Sequence, residues 1–264
     1  MSETETVAGK PGARDAAGAP AVTRAVALLR LLGRSAEPLG VNAIARELGL
    51  VPSSCLHILR ALAAESLITV DPETKRYSLD AGILALANRL LRRDDFSRRA
   101  TPHLEEIAAR FRVTCVAVRI MGLRHQVVLA LARADAPFQL QVDAGSQFPA
   151  LITASGYCCA AFGGHSRAVL REAFSRLDWE DPPSFEVWMD GVAATRRNGY
   201  AVDSGRYIRG ADLVAAPVFR AGGTISHALV SVGLSAQSDP ERTVALGRAL
   251  IAAADALSFA SMGG

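Results

Sequence analysis

The chain has 264 residues, of which 50% are hydrophobic and 21% are charged, and its formal net charge is +3. This composition is typical of a globular protein of one or two domains, and it excludes a fibrous or an intrinsically disordered chain. The sequence has no apolar run long enough to span a membrane, no N-terminal secretory layout and only four cysteines, so we expect a cytoplasmic protein with reduced thiols.

The N-terminal part of the sequence predicts three helices after an irregular tail. Residues 1–21 are rich in Ala, Gly and Pro and show no periodicity, so we expect this tail to be disordered. Apolar residues then recur at spacings of three and four, which predicts helices over 22–36, 41–48 and 52–66.

A β-hairpin is predicted directly after the third helix. Leu67–Val70 and Arg76–Leu79 have the composition of strands, and the Asp-Pro-Glu-Thr segment between them is typical of a turn. Three helices followed by a hairpin form a winged helix-turn-helix, which we assign to residues 22–80. We assign residues 81–96 to a linker helix.

Residues 97–262 predict a second, mixed α/β domain. Its predicted helices cover 97–111, 153–163, 166–176, 184–198 and 239–260. Its predicted strands cover 113–120, 126–133, a short segment near Phe138–Val142, 213–219 and 225–233.

The third helix has the pattern expected of a DNA-reading element. At 100° per residue, one continuous arc of the helix is apolar and holds Pro52, Cys55, Leu56, Leu59, Leu62 and Ala63. The other arc carries Ser53, Ser54, His57, Arg60 and Ala61, with Ile58 at its edge. Short side chains at a helix N-terminus permit close approach to DNA, and the Ser, His and Arg groups offer hydrogen bonds to phosphates or bases. The alternative is an ordinary solvent-facing helix surface.

Charge and the hairpin support the DNA-reading interpretation. Residues 1–99 carry 14 Lys and Arg against 11 Asp and Glu, whereas residues 100–264 carry 15 of each. A surplus of three is weak evidence for a nucleic-acid partner unless the basic groups share one face. Lys75 and Arg76 lie at the predicted hairpin, where a wing contacts the DNA backbone.

Six segments of the sequence resemble the IclR (isocitrate-lyase-regulator) family of bacterial transcription regulators. They are AVALLRLL, VNAIARELGLVPSSCLHILRAL, ESLITVDPETKRYSL, TPHLEEIAARF, NGYAVD and AAPVF, and their order and spacing match over about residues 22–260. The resemblance implies an α+β two-domain fold with an N-terminal winged helix-turn-helix and a C-terminal GAF-like effector-binding domain. It also implies a double-stranded DNA operator, a small organic effector, often an acid, and a homodimer or homotetramer.

The third helix departs from the family pattern. The family often has Thr-Val-His-Arg where this chain has Cys55-Leu56-His57-Ile58. Arg60 stands where an apolar residue is common, so we expect Arg60 to take over the contact of the missing arginine.

The resemblance also implies an effector pocket in the second domain. Leu140 and Phe148 would form its apolar wall, and Ala154 and Ser155 would place helix N-terminal amides near a carboxylate. Asp203 would accept a hydrogen bond from the ligand or orient it, and Ser231 would face it from a strand. Leu213 replaces a residue that can be Cys in the family.

Each pocket residue also has a purely structural interpretation. Ala154 and the neighbouring Gly156 could serve helix packing, Asp203 could belong to a turn and Phe148 to the core, and Ser231 could be an alternating strand residue. Arg206 and Arg209 could attract an anion, although exposed arginines are the simpler interpretation.

No catalytic constellation is recognisable. The adjacent Cys158 and Cys159 would point about 100° apart on a helix, and Ser155 lacks the flanking glycines of a nucleophile elbow. We therefore expect no enzyme, no cofactor and no metal, with membranes also excluded as partners. The alternatives are a small-molecule enzyme or sensor domain with a helical protein-interaction appendage, and an adaptor whose winged helix binds protein.

Overall fold

The computed structural model describes residues 19–93, 95–134, 142–177, 179, 182–237 and 239–259. The chain forms two compact units that divide between positions 94 and 95. Each unit has its own hydrophobic core. Among the described helices, none is long and apolar enough to cross a membrane.

The first unit is a helical domain with a small antiparallel sheet. Its helices are α1 (Pro20–Arg34), α2 (Val41–Leu48), α3 (Pro52–Ala64) and α4 (Gly82–Arg93). Its strands are β1 (Leu39–Gly40), β2 (Ile68–Val70) and β3 (Arg76–Leu79), in the order β1-β3-β2. This is the predicted winged helix-turn-helix, with β1 as an additional strand.

The sharp turn between α2 and α3 follows from two residues. Gly49 adopts a left-handed conformation with φ +63°, which glycine reaches without steric cost, and the Leu50 amide donates to the Ala45 carbonyl at 2.8 Å. Pro52 then starts α3, where its missing N–H leaves no helical hydrogen bond unmade. The core beneath this turn contains Leu28, Leu32, Ile44, Ala45, Cys55, Leu59, Leu62, Ile68 and Tyr77.

The second unit is a six-stranded antiparallel sheet with helices on both faces. Its helices are α5 (Asp95–Phe111), α6 (Ala154–Phe162), α7 (Arg167–Ser175), α8 (Phe185–Asn198) and α9 (Pro240–Phe259). Its strands are β4 (Thr114–Met121), β5 (His125–Arg133), β6 (Gln147–Pro149), β7 (Ala201–Ser204), β8 (Ala211–Phe219) and β9 (Ile225–Leu234). Their order across the sheet is β6-β5-β4-β9-β8-β7.

Alternation along the strands decides which side chains meet which helices. Leu213 and Ala215 of β8 belong to the core under α6, α7 and α8, whereas Val214 and Ala216 belong to the core under α5 and α9. The sheet is also curled: Phe148 of edge strand β6 contacts Tyr207, which follows the opposite edge strand β7, with ring centroids 6.3 Å apart. The curl brings the two edges of the sheet together.

The predicted helices and long strands are confirmed, with ends within two residues of the expected ones, except for the linker helix. The linker helix was expected over 81–96, but α4 ends at Arg93 and α5 begins at Asp95. The short strands β1, β6 and β7 were not predicted. Of the strand expected near Phe138–Val142, positions 138–141 lie outside the described residues, and Val142 itself is not in a strand.

Candidate nucleic-acid interface and ligand pocket

The exposed face of α3 carries the predicted DNA-reading residues. Ser53, His57 and Arg60 are all exposed, and their spacing of four and three places them along one side of the helix. Ser54 is half-buried at the edge of this face.

The opposite face of α3 is buried, so the orientation of the helix is fixed. Cys55 and Leu59 are fully buried and Leu62 is 8% exposed, all within the core of the first unit. Leu56, Ile58 and Ala63 are half-buried at the flanks. The helix-wheel prediction is confirmed except at Pro52, which was placed on the apolar arc and is exposed.

The tip of the hairpin is a tightly bonded turn that presents Lys75. The Asp71 carboxylate accepts hydrogen bonds from the Glu73 amide at 2.8 Å and the Thr74 amide at 2.9 Å. These backbone hydrogen bonds lower the pKa of Asp71. Lys75 is exposed and has a left-handed backbone, φ +55°. The turn thus holds an ammonium group at the end of the wing.

Arg76 has a structural partner in addition to its exposure. Its Nη1 donates to the Pro38 carbonyl at 3.2 Å, and its backbone pairs with Gly40 of β1. Arg76 therefore ties the wing to the segment between α1 and α2, and only its remaining N–H groups are available to a phosphate.

In the second unit, Asp203 is a buried carboxylate with one unsatisfied oxygen. It lies in β7, opposite Leu213, and is 1% exposed. Its Oδ1 accepts from the Arg206 amide at 3.1 Å, while Oδ2 is buried and has no hydrogen-bond partner among the described residues. Burial raises the pKa of Asp203. Buried acceptors without a hydrogen-bond donor are rare in folded proteins, so Oδ2 is a candidate to accept a hydrogen bond from a ligand.

A second buried polar group lies at the start of α6. Thr153 Oγ1 contacts Gln126 Nε2 at 2.9 Å and Ser155 Oγ at 2.7 Å. The Oε1 atom of Gln126 is buried without a partner in the described part of the chain. Because the first amides of a helix have no intrahelical acceptor, the N–H groups of Ala154 and Ser155 add donors here.

The curl of the sheet connects the elements that carry these polar groups. Gln126 of β5 is the direct neighbour of Phe148, and Phe148 contacts Tyr207, four residues after Asp203. Arg206 Nη1 donates to the Tyr157 hydroxyl of α6 at 3.3 Å, which ties the segment after β7 to the same helix. Phe148 is half-buried, as a pocket wall requires. Leu140, the other predicted wall residue, lies outside the described residues.

Ser231 is separated from the other predicted pocket residues. It pairs with Val214 and Cys115, which both belong to the core under α5 and α9, and its hydroxyl donates to the Val214 carbonyl at 3.4 Å. Asp203 lies opposite Leu213, on the other face of the sheet. Ser231 therefore cannot line a pocket with Asp203, and it serves as an alternating strand residue.

Packing against the core explains why two small residues, Ala154 and Gly156, lie at the start of α6. Ala154 is fully buried in the core, and a Cβ on Gly156 would lie 2.4 Å from the Leu151 carbonyl carbon. Gly156 is thus required for close packing, and only the backbone of Ala154 and Ser155, with the Ser155 hydroxyl, remains for a ligand.

Sequence reasoning missed three residues of this region, Gln126, Tyr157 and Tyr207, and it also missed the hydrogen-bonding role of Arg206. A polar Gln126 inside an apolar strand was the available signal, since a buried amide needs partners. The two tyrosines gave no signal, because their positions depend on the curl of the sheet.

The four thiols are all free and buried. Burial raises the pKa of Cys115 and of Cys159 to about 12 and raises that of Cys55 and Cys158 as well. Thiols of this kind are poor nucleophiles at neutral pH. Over the described ranges, no cluster of three or more His, Cys, Asp or Glu could hold a metal ion.

Two family models match the chain. "IclR helix-turn-helix domain" matches residues 21–72, and "Bacterial transcriptional regulator IclR C-terminal" matches residues 88–259. Together they cover both units.

Curated relatives and solved structures agree with the family models. The glycerol operon regulatory protein of Streptomyces coelicolor is 32% identical over 201 residues, covering 74% of this chain and 77% of the relative. The regulator BhcR of Paracoccus denitrificans is 27% identical and covers 96% and 91% of the two chains. The IclR regulator structure from Alicyclobacillus acidocaldarius is 27% identical with a TM-score of 0.78, covering 92% of this chain and 99% of the other. An IclR homologue from Microbacterium hydrocarbonoxydans, complexed with 4-hydroxybenzoate, has a TM-score of 0.73 at 19% identity, with 91% and 100% covered.

Proposed function

Because the chain belongs to the IclR family of bacterial transcriptional regulators, with a helix-turn-helix DNA-binding domain and a C-terminal effector-binding domain, we propose that α3 reads an operator through Ser53, His57 and Arg60. The observation that carries this assignment is the exposed row of these three residues above the buried Cys55 and Leu59. A helix anchored on one side presents its polar side to the major groove.

Each residue of the interface has its own role in this proposal. Arg60 donates to a base edge or a phosphate, and His57 supplies a second donor. Ser53 and Ser54 lie at the N-terminus of α3, where the free amides favour a phosphate. Lys75 contacts the DNA backbone from the wing. Arg76 both holds the wing in position and approaches the DNA backbone.

The effector pocket has acceptor and donor ends. Asp203 Oδ2 is a buried acceptor that a ligand hydroxyl would satisfy, and the amides and hydroxyls at the start of α6 would hold a carboxylate. These groups fit a small organic hydroxy acid. Support comes from a protein of the same fold that is complexed with 4-hydroxybenzoate, which has both groups. Phe148 and Leu140, which lies outside the described residues, would supply apolar surface.

Regulation follows from a difference in affinity. An effector shifts an equilibrium between domain arrangements only if it binds one arrangement more tightly. In this proposal, α4, the linker helix, couples effector binding to DNA binding. The protein acts as a homodimer or homotetramer that presents two recognition helices to two half-sites. Such a protein works on the chromosome, and hence in the cytoplasm, without catalysis, cofactor or membrane.

The DNA-reading assignment is tested by the variant Arg60→Ala. Genomic fragments captured by the purified protein supply the operator, and affinity is measured at several salt concentrations. Loss of a base contact costs about 1–3 kcal/mol, or roughly 5- to 150-fold in affinity, whereas loss of a phosphate contact lowers the salt slope by about one. The melting temperature should not change.

Arg248→Ala is the matched control, because Arg248 is an exposed arginine of α9 in the other unit. If Arg60→Ala and Arg248→Ala bind the captured DNA equally, α3 does not read DNA in the proposed way. If affinity does not depend on salt at all, an adaptor function replaces the proposal.

A further inference from the structure

A basic cleft lies at one end of the large sheet, apart from the Asp203 pocket. It has a volume of about 480 Å³ and is formed by the turn between β4 and β5 and by the adjoining ends of β8 and β9. Its polar lining consists of Arg119, Arg124, His125, Arg220, Ser226 and His227. None of these residues belongs to the effector pocket described above.

The cleft concentrates positive charge in a part of the chain that is otherwise balanced. Residues 100–264 contain equal numbers of basic and acidic residues, yet the residues that line the cleft include three arginines and no Asp or Glu. Arg119, Arg124 and Arg220 are exposed, and none of them forms an ion pair with a described residue. The cleft therefore carries three positive charges that no described acidic side chain neutralises at ion-pair distance.

The wall that carries Arg119 is held in place by the sheet. Arg119 pairs directly with His227 across β4 and β9. The His227 ring stacks on Phe96 of α5 with centroids 3.9 Å apart, and its Nδ1 lies 2.9 Å from Ser226 Oγ. Because this wall of the cleft is already ordered, less conformational entropy is lost when a ligand binds.

We propose that this cleft binds a small molecule with at least two oxyanion charges, an organic phosphate or a polycarboxylate, as a second ligand of the protein. Planar guanidinium groups match phosphate and carboxylate oxygens, and a cleft lined by one sign of charge raises the local concentration of counter-ions. Its volume is within the range of small-molecule sites.

The test is calorimetric titration of the full-length protein at 150 mM NaCl with inorganic pyrophosphate and, separately, with citrate. We expect saturable binding of one anion per chain, and the tighter of the two probes identifies the class. Arg119→Gln and Arg220→Gln should each weaken binding about tenfold, since each removes a charge-assisted hydrogen bond. Acetate, with one charge, should bind at least tenfold more weakly.

Arg248→Gln removes an exposed arginine outside the cleft and should leave the titration unchanged. The proposal is overturned if neither probe binds saturably, or if the cleft variants bind like Arg248→Gln. It is equally overturned if the cleft variants lose DNA affinity and salt slope while the protein binds no small anion, because the cleft would then contact DNA. Arg220 is next to an exposed turn, so Arg220→Gln retains the test if Arg119→Gln fails to fold.

Discussion

The carboxylate of Asp203 is buried, and burial opposes its ionisation. One oxygen is satisfied by the Arg206 amide and the other by no described group. A buried acceptor without a donor costs stability in the free protein, and a ligand hydroxyl would recover part of that cost. Asp203 is therefore better explained by ligand binding than by a contribution to the stability of the fold.

We predict that Asp203→Asn separates these two properties. The amide keeps an acceptor for Arg206 and removes the buried charge, so the free energy of unfolding at pH 7 should be unchanged or higher. Binding of a hydroxy acid such as 4-hydroxybenzoate should weaken at least tenfold, because the charged acceptor is lost. Thermal melting with and without the acid measures both effects.

The pH dependence supplies a further check on the same variant. The pKa of Asp203 is raised in the folded state, so the wild type loses stability as pH rises from the carboxyl's unfolded pKa through its folded pKa. The difference between Asp203→Asn and the wild type should therefore shrink as the pH is lowered. A difference that stays constant with pH would contradict the burial argument.

The sequence predicted the α3 residues better than the pocket residues, for a physical reason. Ser53, His57 and Arg60 belong to one helix, whose period alone decides their common face. Ser231 and Asp203 belong to separate strands, and a shift of one residue moves a strand side chain to the other face of the sheet. No local pattern fixes that register.

The wing depends on a short turn that one side chain holds together. Asp71 bonds two backbone amides of the turn, next to Lys75. The same hydrogen bonds lower its pKa, so their contribution is complete above the unfolded pKa and is lost as pH falls through the folded pKa.

We predict that Asp71→Ala loosens the wing while the helical core persists. Amide exchange at Glu73 and Thr74 should accelerate, and DNA affinity should fall several-fold because Lys75 is no longer positioned. Asp71→Asn retains the acceptor oxygen and should behave like the wild type. Unchanged exchange in Asp71→Ala would show that the turn forms without the carboxylate.

Helix α6 depends on the absence of a side chain at Gly156. We predict that Gly156→Ala destabilises the second unit by about 1–3 kcal/mol, since the added Cβ would overlap the backbone of Leu151. Denaturant unfolding measures this loss. Gly40→Ala has open space and should change stability by less than about 0.5 kcal/mol, so equal effects would argue against the packing explanation.

Among the elements, those with a strong period were predictable, as was the hairpin marked by its turn, whereas the short strands β1, β6 and β7 were not. α9 and β9 repeat their apolar pattern over many residues. β1 and β6 contain two and three residues, which is too few to show alternation, and they pair only because longer strands lie beside them. Their existence follows from tertiary structure.

At the scale of the whole molecule, the division into two units has a thermodynamic consequence. The core of the first unit shares no residue with the two cores of the second. We predict two transitions in calorimetry of the full-length protein, since each unit has the means to unfold by itself.

The two transitions should respond to different ligands. Operator DNA should raise the transition of the first unit, and an effector acid should raise that of the second, because a ligand stabilises the part to which it binds. Expression of residues 95–264 alone should reproduce the second transition. A single transition that both ligands move equally would show that the units unfold together.

Sequence reasoning at this scale recovered the two-domain α+β fold, because helix periods and strand composition differ clearly between the two halves. It did not recover the curl of the large sheet, seen in the contact of Phe148 with Tyr207. Curl arises from twist accumulated over six strands, and no single segment encodes it.

Because all four native cysteines are buried, the protein is well suited to labelling at a single introduced cysteine. A cysteine introduced at Ser53 or at Arg220 would be the one readily alkylated thiol in the chain, because the native ones are shielded and protonated. Fluorophores or spin probes could then be attached to either unit without first deleting Cys55, Cys115, Cys158 or Cys159.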